Sequence, residues 1–84
     1  MAFLAITADG LRAAIRESAK SGAAIWCGAD AWSGVVAHES QGAAISHFVY
    51  DLGARDPDVL AGALDTIAQH HPKEVVWIEA LSMG

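Results

Sequence analysis

A single cysteine, Cys27, stands among 84 residues. No intramolecular disulfide can form, and there is no CxxC pair or Cys/His finger spacing to hold zinc. Bases are also scarce. Five Lys and Arg against ten Asp and Glu leave a net charge of −5, which disfavours nucleic-acid binding driven by phosphate contacts. No apolar run approaches the roughly 18 residues that a membrane span requires. The apolar start, Met1-Ala2-Phe3-Leu4-Ala5-Ile6-Thr7, is too short for a signal-peptide core and lacks a basic flank. Together these absences predict a cytoplasmic, soluble chain that needs no disulfide.

What the sequence does contain is apolar. Hydrophobic residues make up 54%, though 18 of them are alanines that bury little area each. Charged residues reach 18%, below the roughly 25% of ordinary domains, and mean hydropathy is +0.32. A chain of this composition is not intrinsically disordered. Its length suits one domain, residues 1–84, with a thin stability margin.

Two helices are signalled by apolar spacing and by their ends. Over residues 9–21, Leu11, Ala14, Ile15 and Ala19 share one stripe, Thr7 or Asp9 can cap the start, and Gly22 follows the last turn. Over residues 57–70, Val59, Leu60, Ala63, Leu64, Ile67 and Ala68 hold one face. Asp56 before Pro57 is an N-cap followed by proline at the first helical position, and His70-His71-Pro72 ends the run. Strand-like runs cover residues 3–7, 23–27, 35–39, 43–52 and 74–81, and residues 28–34 read as loop.

This order predicts an α+β two-layer sandwich on the ferredoxin-like βαββαβ plan. Its sheet would be mostly antiparallel, with four or five strands and both helices on one face. The alternative is a small open α/β sheet. In the sandwich, the middle strands form a hairpin turning at Gln41-Gly42, and strict alternation puts His38, His47 and Asp51 on the face away from the helices. Trp77 and Glu79 in the last strand share that face. Such a face carries too much apolar surface for a monomer, so Trp77, Glu79, His38, His47 and Asp51 become candidate binding residues. Trp32, on the 28–34 loop, is a further candidate as an interaction tip or a lid on the core.

Candidate chemistry is thin. Cys27 has no local partner base and reads as a small buried hydrophobe. His38, His47, His70 and His71 lack the three or four converging ligands of a closed metal site, and His70-His71 suits the carbonyl end of its helix. Residues 28–34 follow a strand but contain no lysine and no Walker pattern, which argues against a phosphate loop. Arg12, Arg16 and Lys20 form a basic stripe, read as a solvated helix face. No cofactor, metal or catalytic constellation is expected.

The functional expectation is therefore a small acidic non-enzymatic interaction protein: a regulatory subunit, immunity factor or phage-type inhibitor. Its partner would be another protein or a second copy, as a homodimer through the uncovered sheet face. The alternative is a small dimeric enzyme or ligand-binding protein that uses His47 or His38 as acid–base in a pocket.

Overall fold

The computed structural model describes residues 1–35 and 43–79. The elements run β1 (Ala2–Ala5), α1 (Ala8–Ser21), β2 (Ala24–Cys27), α2 (Ala29–Ser33), β3 (Ile45–His47), α3 (Pro57–His70) and β4 (Val76–Ile78). The four strands form one sheet in the order β3-β2-β1-β4. Every pairing is parallel.

The two long helices form where their ends are satisfied. Thr7 caps α1 by accepting from Gly10 N at 3.0 Å. Gly22 closes that helix at φ 72° and donates its N–H to Ser18 O, a left-handed position that costs glycine little. Asp56 caps α3 by accepting from Asp58 N at 2.9 Å and Val59 N at 3.3 Å. Pro57 then occupies the first turn, where no N–H is needed.

Both faces of the sheet are covered. On one side Leu4, Ile6, Phe48 and Leu52 pack with Ala63 and Ile67 of α3. On the other, Ala5, Ile25 and Cys27 pack with Leu11 and Ala14 of α1 and Ala31 of α2. Alternate residues of β1 thus serve opposite cores, as the pleat requires.

The antiparallel ferredoxin-like sandwich is therefore corrected to a small α/β domain, with an all-parallel four-stranded sheet and three helices among the described residues. Residues 28–34 are the main reason. They form α2 instead of a loop, and the chain returns from it to lay β3 parallel to β2 with Ile25 beside Ile45 and Cys27 beside His47. Strands 1, 2 and 4 also read as unbroken apolar runs, Phe3-Leu4-Ala5-Ile6, Ala23-Ala24-Ile25-Trp26-Cys27 and Val75-Val76-Trp77-Ile78. That is the pattern of strands buried on both faces, which parallel sheets have. Among the described residues there is no uncovered sheet face of the kind on which the homodimer expectation rested, since α3 lies on one side and α1 and α2 on the other. The turn at Gln41-Gly42 and the strand over 36–39 lie outside the described residues.

Candidate interaction site

The strand order reverses around β1, which has β2 on one side and β4 on the other. In open α/β sheets, ligands bind in the crevice beyond the strand ends at such a reversal. Here the chain fills that position itself. The Glu79 carboxylate accepts from Ile6 N at 2.6 Å, Thr7 N at 2.7 Å and Thr7 Oγ1 at 2.6 Å. It sits over the start of α1, where orphan N–H groups and the helix dipole favour a negative charge. Gly10 leaves room for it, since a Cβ there would overlap the carboxylate. Arg55 secures the same end of β4, donating from Nη1 to Glu79 O at 3.0 Å. Its backbone is left-handed at φ 54°, and Nη2 is buried with no hydrogen-bond partner among the described residues.

The start of β4 is tied as well. The Met1 ammonium pairs with Glu74, and the Trp77 indole donates to Met1 Sδ at 2.9 Å. Glu74 also accepts from His71 at 2.9 Å. The Met1 ammonium, then His71, hold the Glu74 carboxyl below its ordinary range.

Between these anchors the strand is bare on its outer side. Val75, Trp77 and Ile78 are all exposed, and among the described residues no strand pairs beyond β4. An apolar groove of about 200 Å³ runs beside it, walled by Phe3 and Trp77 on the sheet and by Gly10, Ala13 and Glu17 on α1. The small residues of α1 keep this groove open.

The other candidate residues lie elsewhere. Trp32 on α2 stacks on His47 at the end of β3, with ring centroids 5.0 Å apart and planes 9° apart. Trp32 is half-buried and His47 exposed, so the pair lies across the sheet from Trp77 and Glu79. Asp51 is exposed in the connection after β3. His38 lies outside the described residues. The structure thus joins Trp32 with His47 and Trp77 with Glu79, and it does not bring the two pairs together. A second groove, of about 410 Å³, is lined by Trp26, Ser46, His70 and His71. His47 lines neither groove.

Cys27 is fully buried. Burial, and then the charge of Asp30, push its thiol up to about 11, so it stays protonated and unreactive near neutral pH. Among the described residues no group of three or more His, Cys, Asp and Glu side chains could hold a metal ion. No described helix is long and apolar enough to cross a membrane.

Sequence reasoning missed the groups that build this end of the sheet. Arg55 gave no signal, because its role depends on a left-handed backbone. Thr7 was visible as a cap for the first helix, but the carboxylate it receives lies 72 residues away, and Gly10 was not singled out. The searches against protein-family models, curated proteins and solved structures return no match for this chain.

Proposed function

We propose that the protein is a small, acidic, non-enzymatic association module whose contact surface is the outer side of β4 with the groove beside it. The observation that carries this reading is the exposure of Val75, Trp77 and Ile78, which keep 63, 57 and 48% of their surface in solvent. A large apolar residue exposed alone is ordinary; three within four positions along an edge that no described strand covers are not. Exposed sheet edges receive extended segments of other chains, with main-chain hydrogen bonds giving affinity and neighbouring pockets giving selectivity. Tryptophan is the residue type most often found at binding hot spots. The strand is not loose, because its two ends are fastened by Glu74 and Glu79.

Ile78→Lys and Trp77→Ala test this reading. Both should keep the wild-type circular dichroism spectrum and lose association, whether measured as self-association by sedimentation or as capture of a protein from the producing cells. Two well-folded variants that keep every association of the wild type would overturn it.

A further inference from the structure

We infer that the occupant of the β4 edge is the β4 edge of a second copy, paired antiparallel about a two-fold axis at Trp77. The inference rests on the association reading above and names its partner. It begins with the direction of the backbone groups. Ala2 N donates to Val75 O at 3.0 Å and Glu79 N donates to Leu4 O at 2.9 Å. With Phe3 in register with Trp77, the N–H and C=O of alternate residues Val75, Trp77 and Glu79 face β1. Those of Val76 and Ile78 therefore face outward. An antiparallel partner centred on Trp77 sets Val76 opposite Ile78 of the other copy, twice. Each such pair exchanges two bonds, about four in all. The strand's own register makes it self-complementary, which a closed two-fold contact demands.

Side chains and charge agree with this geometry. At the axis the two Trp77 residues face each other as a close non-hydrogen-bonded pair on the α1 side, where each copy also offers its apolar groove. Aromatic cross-strand pairs of this kind are stabilising. The strand from Val75 to Ile78 carries no charge. The residue facing Val75 across the axis is Glu79 of the other copy, whose carboxylate is already turned onto its own Ile6 and Thr7. Glu74 is likewise held by its own Met1 ammonium. No unpaired like charges are pressed together, although the whole molecules, at −5 each, repel at long range.

The area sets the strength. The exposed parts of Val75, Trp77, Ile78 and Met1 come to roughly 400 Å² per copy, or about 800 Å² for both. Stable interfaces begin near 1,200 Å² in total. The strand backbones and groove walls narrow the gap without closing it widely, so the dimer is a weak, transient one.

The test uses the native chain. Sedimentation between about 5 µM and 1 mM should show a monomer–dimer equilibrium in this range. Because like net charges oppose the dimer, added salt should strengthen it, whereas a contact with a basic partner would weaken. Amide exchange read by NMR then identifies the surface. At about 1 mM the Val76 and Ile78 amides should exchange at least about tenfold more slowly than at about 20 µM. The Trp77 and Glu79 amides, already in the β1 ladder, should be protected at both concentrations and serve as the folding control. Ile78→Lys should raise the dissociation constant about tenfold or more while keeping that control protection. A dimer that leaves the Val76 and Ile78 amides unprotected would overturn the strand pairing. A monomer at 1 mM would overturn the second copy as occupant; if Ile78→Lys then still abolished capture of a cellular protein, the association reading would stand without it, and if it did not, both would fall.

Discussion

The two outer strands of the sheet, β3 and β4, are built alike at their ends and differently along their sides. Each is followed by a stretch held by a carboxylate that receives backbone N–H groups. Beyond β3, Asp30 accepts from Leu52 N at 3.2 Å and Gly53 N at 2.9 Å. Beyond β4, Glu79 accepts from Ile6 N and Thr7 N. What differs is the cover. The three residues of β3 include Ser46 and His47, and His47 stacks on Trp32 of the same chain. The three residues of β4 are Val76, Trp77 and Ile78, and the last two stay largely in solvent. Natural edges are normally blunted with charge, proline or a covering element. One edge here carries polar groups and a stacked ring; the other keeps an apolar strip on a firmly tied strand.

The largest effect should come from cutting the anchor of β4. Glu79→Ala leaves Ile6 N and Thr7 N without their acceptor, at a cost of about 2–4 kcal/mol in urea melts. Gly10→Ala should act in the same direction, because its methyl would take the place of the carboxylate. If both variants melted like wild type, the similarity of the two edges would be lost, with β4 resting on its ladder alone. Asp30→Ala, the matching change beside β3, should cost about 1–2 kcal/mol, since its bonds from Ala31 N, Leu52 N and Gly53 N are longer and the last lies at the surface. A loss equal to that of Glu79→Ala would mean that the edges are anchored equally.

Trp77→Ala should cost less than about 1 kcal/mol in the monomer, against the roughly 3–5 kcal/mol of a fully buried aromatic. A large loss measured at a concentration where wild type is monomeric would make Trp77 a core residue and remove the contrast with β3. Near pH 8, alkylation of Cys27 in the folded chain should run roughly a hundredfold slower than in a free peptide, because the thiolate is that much rarer. The same displacement from 9.0 to about 11 fixes a sign. The unfolded chain loses its thiol proton first, so stability falls as pH rises through that interval. The smallest effect concerns the start of β4. Glu74 titrates below its ordinary value of 4.5, so it contributes stability above that pH, and the contribution is lost as pH falls through the folded value. NMR titration should show this low midpoint, and Glu74→Gln should remove the dependence.

The helices were legible because their signals are local. Thr7 and Gly22 bracket α1, and Asp56-Pro57 opens α3 within a residue of the expected start. Strand direction was not legible from the turn-like Ser40-Gln41-Gly42, which suggested a hairpin. The better guide was the lack of alternation in residues 3–6, 23–27 and 75–78, since a half-solvated antiparallel strand would alternate. α2 was missed because five residues between Gly28 and Gly34, with no side-chain cap, look like loop. Of the candidate site, the pairing of Trp77 and Glu79 on one strand was readable. The position of the Glu79 carboxylate was not: alternation sent it away from the helices, whereas backbone donors at the start of α1 draw it in.

The bonds from Glu79 to Ile6 and Thr7 also set an order of events during synthesis. They join β4 to β1 across 72 and 73 residues, so one side of β1 stays open until Glu79 has left the ribosome. Through that interval β1 can pair with β2 alone, while Ile6 and Thr7 wait for an acceptor. Contacts this distant in sequence slow folding and lengthen the exposure of unpaired strands. Completion of the sheet therefore waits for Glu79, and a nascent chain arrested before that residue should be more sensitive to protease than one extended past it.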